Sequence, residues 1–136
     1  MSRRQARDLA FKVLFQVDQV GADPNEAMAY LLKEKKISSS NTQYAKELVE
    51  GVLSHLDQID EVIKEYSKSW KLDRMFSVDR VLLRLGIYEV MIEPGLHYAI
   101  AIDEAIELGK RYGESTSPAF INAVLDQVRV ANEKKD

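Results

Sequence analysis

Apolar residues return at three- and four-residue spacing along nearly the whole chain, and only the face of an α-helix makes neighbours of such positions. With 6 Gly and 3 Pro in 136 residues, little interrupts that pattern. An all-α fold of about seven helices follows, arranged as two small helical bundles packed into one compact domain. The polar connector Trp70-Lys71-Leu72-Asp73-Arg74-Met75 marks the boundary, with an N-terminal half of about 1–70 and a C-terminal half of about 71–136.

The helices are bounded by recognisable start and stop residues. Helix one runs from about Arg3 to Gln19 before Gly21, with Ala6, Leu9, Ala10, Val13, Leu14 and Val17 as its inward stripe. Asp23-Pro24 reads as an N-cap with Pro at the first helical position, opening a helix from about Pro24 to Lys36. The serines before Asn41 cap a third helix, about Ser40 to His55, and a fourth covers about Leu56 to Ser69. Helix five, capped by Ser77 and running to about Ile92, is apolar on two sides and should be central; Glu93-Pro94-Gly95 stops it. Helix six spans about Ala99 to Arg111, and helix seven about Pro118 to Val130 behind the Ser117-Pro118 cap, leaving a charged tail from Ala131 that frays.

Composition excludes several kinds of chemistry. Without Cys, there are no disulfides, thiolate zinc sites or thiol nucleophiles. His55 and His97 have no ligand-like partner at local spacing, so no metal is expected. Phosphate-cradling glycine loops and nucleophile elbows are absent, and neither an enzyme nor a cofactor is expected. Asp103 and Glu107 read as a solvated face, with Glu107 in reach of Arg111. Glu89 falls in the core stripe of helix five, where a carboxylate satisfied by an Arg or a hydroxyl outweighs a functional acid. No apolar run is long enough to span a membrane, and Asp8, Lys12 and Gln16 interrupt any signal-like segment, so a cytoplasmic protein is expected.

Two constellations remain. The net charge is only −3, yet the first seven residues carry three Arg and no acid. On a helical wheel Phe11 and Phe15 fall outside the main stripe, on the side of Arg4 and Arg7. Cations beside aromatics suit single-stranded RNA; two rings that merely contact another helix, below solvated arginines, suit the same pattern equally well. The second constellation is Ser115-Thr116-Ser117-Pro118-Ala119-Phe120, which places hydroxyls and an aromatic at a helix N-terminus, where phosphates bind; ordinary capping accounts for most of it.

Beyond spacing, four segments carry a resemblance: Arg3-Arg4-Gln5-Ala6-Arg7-Asp8 with Leu14-Phe15, Val78-Asp79-Arg80-Val81-Leu82-Leu83-Arg84-Leu85-Gly86-Ile87-Tyr88-Glu89, Ala101 to Lys110, and Phe120-Ile121-Asn122-Ala123-Val124-Leu125-Asp126. In order and spacing, over essentially the whole chain, they resemble the NusB family of bacterial antitermination factors. The resemblance implies an all-helical, non-catalytic protein that binds the boxA element of nascent ribosomal RNA transcripts. It implies a heterodimer with NusE, a small-subunit ribosomal protein, joined to other Nus factors on RNA polymerase. Carried onto this chain, it makes Arg3, Arg4, Arg7 and Phe120 RNA contacts and gives Phe15 and Asp79 to the partner surface. Gln5 interrupts the arginine motif, Phe15 replaces a frequent Tyr, and Thr116 stands where some relatives carry an acid. Two other readings compete: a helical scaffold or homodimer using Phe11 and Phe15, and an accessory domain like the one preceding an RNA cytosine methyltransferase.

Overall fold

The computed structural model describes residues 2–68, 70–92 and 97–134. Among them are seven α-helices and no strand: α1 (Arg4–Val20), α2 (Pro24–Glu34), α3 (Ser39–Ser54), α4 (Leu56–Tyr66), α5 (Ser77–Ile87), α6 (Tyr98–Tyr112) and α7 (Ser117–Lys134). A short 3₁₀ turn, Leu72–Arg74, precedes α5, and a wide π turn, Tyr88–Ile92, follows it.

Local chemistry sets most of the ends. Gly21 closes α1 in the left-handed conformation (φ 64°), its N–H donating to the Val17 carbonyl at 3.0 Å and the Ala22 N–H to that of Gln16 at 3.5 Å. Asp23 accepts from the Glu26 N–H at 3.0 Å, with Pro24 at the first helical position of α2. Ser38 caps α3 by accepting from the Asn41 N–H at 3.1 Å. The expected Ser77 cap is not formed: Phe76 holds the cap position and Ser77 is already helical, accepting from the Arg80 guanidinium. Ser117 likewise lies inside α7, where its Oγ accepts from the Glu114 N–H. The tail expected to fray from Ala131 continues α7 to Lys134, because Arg129 pairs with Asp126 and with Glu133 one turn on.

Helix α5 is the centre, packing against α1, α4, α6 and α7. Val78, Val81, Leu82, Leu83, Leu85 and Ile87 are all buried on it, so both of its apolar sides find cover. Helix α4, placed by sequence with the first half, packs against α5 and α7 of the second. Regular α-helix ends at Ile87 rather than Ile92. The wide turn seats the Tyr88 ring over Gly51 of α3, where a Cβ would collide with it, and sends Glu89 inward to Arg7. Those two long-range contacts outweigh the hydrogen bond of one regular turn. The Glu93-Pro94-Gly95 stop lies outside the described residues.

Candidate nucleic-acid and partner interface

The arginines at the start of α1 have three different surroundings. Arg3 donates to Ser40 Oγ at 2.9 Å and Asn41 Oδ1 at 3.2 Å, and its guanidinium lies 4.8 Å from the centre of the Tyr44 ring. Hydrogen bonds and a cation–π contact therefore hold it against the first turns of α3 while it keeps contact with solvent. Arg4 is 69% exposed and meets Glu104 of α6 at 3.2 Å, an ion pair of small net worth. Arg7 is 4% exposed and grips the 2%-exposed Glu89 with two arms, Nε to Oε1 and Nη2 to Oε2, each at 2.9 Å. The Tyr44 hydroxyl donates to the same carboxylate at 3.1 Å. Burial opposes the Arg7 charge, but the hydrogen bonds and charge of Glu89 outweigh it and hold the guanidinium above its ordinary range.

The expectation for Arg7 is thereby corrected. On a bare helix it shares a side with Arg4, but the π turn after α5 delivers Glu89 to that side and closes it off from solvent. Glu89 itself is satisfied by an Arg and a hydroxyl, the reading its place in the core stripe favoured.

Farther along α1, Phe11 is 4% exposed and stacks on Tyr112 at 5.0 Å, so it is a packing residue and not a surface ring. A homodimer anchored on Phe11 loses that anchor. Tyr112 donates to Asp8 at 2.5 Å, and Arg111 and Lys12 approach the same carboxylate at 3.2 and 3.0 Å. Burial would raise the Asp8 carboxyl, but the Tyr112 and Lys12 bonds win and hold it below the usual carboxylate range. Arg111 thus reaches Asp8 where sequence spacing offered Glu107, whose partner is Lys110.

Phe15 is half-buried and borders a cavity of about 370 Å³, walled by Phe11, Leu31, Val78 and Tyr112 with Lys12 and Gln16 at its edge. One residue beyond Val78, Asp79 turns away from it toward the start of α7. It is 7% exposed, and its Oδ1 has no hydrogen-bond partner. Burial, reinforced by Glu114, pushes its carboxyl up against the opposing Ser117 hydrogen bond. Phe120 is half-buried in the second turn of α7, packed against the core. Helix α6 links it to the arginines, since α7 packs along α6 and Glu104 of α6 receives Arg4. The structure therefore gathers Arg3, Arg4 and Arg7 at one end of α1, sets Phe15 and Asp79 on either side of Val78, and leaves Phe120 on a separate helix.

The profile of the NusB family matches residues 4–129. The chain belongs to the NusB family. The transcription antitermination protein NusB of Syntrophomonas wolfei is 46% identical over 128 residues, 94% of this chain and 96% of that protein. That of Myxococcus xanthus is 42% identical over 137 residues, 98% of each. A solved structure of the antitermination factors NusB and NusE in complex with dsRNA contains a chain that matches with a TM-score of 0.88 and 32% identity, over 95% of this chain and 96% of that one. NusB is a family of transcription antitermination proteins and not of enzymes. Among the described residues of this NusB-family chain, no helix is long and apolar enough to cross a membrane, and no three His, Asp or Glu gather as a metal site.

Spacing alone missed Tyr44, Ser40 and Asn41 as the holders of Arg3. Tyr44 stands at helical spacing with Leu48 and Val52, and its hydroxyl is the one sequence signal that this face ends at a polar partner.

Proposed function

We propose that this protein is an antitermination factor that binds the boxA element of nascent ribosomal RNA as a heterodimer with NusE, and so joins the other Nus factors on RNA polymerase. The observation that carries the reading is the division of labour at the start of α1. Arg3 is held ready on α3 and Arg4 is open to solvent, while Arg7 is internal. Arg3 and Arg4 neutralise phosphates, Phe120 adds an aromatic contact, and Arg7 acts as a positioning residue that fixes the helix carrying the other two. Phe15, with the cavity beside it, and Asp79 form the NusE surface. Family membership and a relative solved with NusE and dsRNA support this assignment.

The test is binding of labelled boxA RNA, its scrambled control and its duplex form, with and without purified NusE. NusE should tighten binding to single-stranded boxA selectively. The two phosphate contacts of Arg3 and Arg4 should contribute about −1.4 to the slope of log K against log salt, and Arg3→Ala/Arg4→Ala should remove that contribution. Equal affinity for boxA and scrambled RNA in the presence of NusE would sink the assignment.

A further inference from the structure

One cavity plays no part in the surfaces above. It measures about 740 Å³, is open on one side, and sits where the connector passes from α4 to α5. Its rim carries Lys64, Lys68, Trp70 and Lys71, against a single acid, Asp73. Arg80 and Arg84 form the floor, where their charges are already answered: Arg80 and Arg84 both meet Asp18, at 2.6 and 2.9 Å, and Arg84 also meets Asp60 at 2.8 Å. The uncompensated charge therefore belongs to the rim. Lys64 pairs loosely with Glu61 at 3.4 Å, both more than half exposed, while Lys68 and Lys71 make no ion pair among the described residues.

Trp70 is 58% exposed, an unusual position for an indole with no packing role. The wall that carries it is not loose. The Trp70 N–H donates to the Ser67 carbonyl at 3.1 Å, and Arg80 donates to the carbonyls of Leu72 and Met75 at 3.0 and 3.2 Å. These bonds tie the wall to α4 at Trp70 and to α5 at Leu72 and Met75. A bare aromatic face beside cations, over a neutralised polar floor, suits a planar ring carrying a negative charge.

We propose that this cavity is a second RNA site, which takes one nucleotide of a single strand with its base on Trp70 and its phosphate between Lys68 and Lys71. The site is separate from the arginine surface. Between Arg4 and Asp18, α1 rises about 21 Å at ~1.5 Å per residue, and the cavity lies at the Asp18 end. It does not depend on the boxA assignment.

Trp70 is the chain's single tryptophan, so its fluorescence reads the site directly. The intact protein is titrated with a mixed-sequence single-stranded RNA lacking boxA, with uridine monophosphate, and with polyglutamate. The RNA should quench Trp70 saturably, and quenching should persist in Arg3→Ala/Arg4→Ala, which separates this site from the arginine surface. Lys68→Ala/Lys71→Ala, both exposed positions, should weaken quenching and flatten its salt slope by about 0.7, the share of one phosphate. Trp70→Ala, followed with labelled RNA in the Arg3→Ala/Arg4→Ala background, should lose at least about fivefold in affinity. RNA that binds the protein without quenching Trp70, or quenching abolished by Arg3→Ala/Arg4→Ala, overturns the proposal. Equal quenching by polyglutamate overturns it in favour of an acidic protein segment. Uridine monophosphate saturating at the same concentration as the RNA overturns it in favour of a free nucleotide.

Discussion

Arg4 and Arg7 lie three residues apart on one helix and each meets a glutamate, yet the two pairs do opposite things. Arg4–Glu104 is a single contact at 3.2 Å with the arginine 69% exposed, so water competes for both partners. Arg7–Glu89 is two-armed, at 4% and 2% exposure, with a tyrosine hydroxyl on the same carboxylate. In the first, charge remains on offer to a ligand. In the second it is consumed inside the fold, and its use is to specify where α1, α3 and the turn after α5 meet. Exposure, more than charge, separates the two arginines of this basic motif.

The most damaging way to probe this contrast is to remove one buried partner. Arg7→Ala should destabilise by about 3–5 kcal/mol, because Glu89 is left charged and dry, and should lower Tm on the order of 10 °C. Arg7→Met/Glu89→Leu should recover most of that loss in denaturant unfolding. If Arg7→Ala unfolds like the unaltered protein, the pair is not the clamp described. An Arg3/Arg4/Arg7 triple alanine therefore mixes misfolding with lost RNA contacts, and the double variant is the one to interpret.

Next comes Asp18, at 10% exposure between Arg80 and Arg84. Asp18→Ala should cost about 2–3 kcal/mol by leaving two half-buried guanidinium groups short of an acceptor. Burial alone would raise the Asp18 carboxyl, but the Arg80 bond and its neighbours bring it below its ordinary value. A depressed carboxyl adds stability above its unfolded pKa of about 3.9 and loses it as pH falls through the lower folded value. Asp18 and Asp8 should both contribute to acid unfolding in that window, and the slope of stability against pH there should shrink in Asp18→Ala.

Asp79 should show the reverse sign. Its folded pKa is raised, chiefly by burial, so its ionised form is penalised once pH exceeds that value and the penalty vanishes below the unfolded pKa. Asp79→Asn should stabilise the isolated protein at pH 7 by about 1 kcal/mol or less, with the gain gone near pH 3. It should also weaken NusE binding if the carboxylate faces the partner. A destabilised Asp79→Asn at pH 7 would mean the carboxylate is satisfied after all.

The smallest effect returns to the opening pair. Glu104→Gln should change stability by less than about 0.5 kcal/mol, while boxA RNA binds more tightly because Arg4 is released. Calorimetry and an RNA titration on one sample check both.

The helices themselves were largely readable. The stripe of α1, Gly21 at its end, the Asp23-Pro24 start and the central position of α5 all follow from rules acting over a few residues. What escaped was long-range. Phe11 looked exposed because the ring that covers it, Tyr112, arrives from α6. Arg7 looked like Arg4 because the carboxylate that claims it is 82 residues away. The π turn had no local signature, since it follows from where Tyr88 and Glu89 find partners. Among the residues assigned to the site, Arg3 and Arg4 stand out by charge, and Phe15 and Phe120 by helical spacing and position, with likeness to relatives supplying their roles, whereas Asp79 rests on that likeness alone.

The Arg7–Glu89 bond also orders events during synthesis. Helix α1 leaves the ribosome early, followed by Tyr44 on α3, but the acceptor for Arg7 is made only when residue 89 is reached. Until then Arg7 carries an uncommitted charge that any nearby polyanion can attract. Completion of the fold withdraws that charge, so a newly made chain should bind RNA less discriminately before residue 89 emerges than after it.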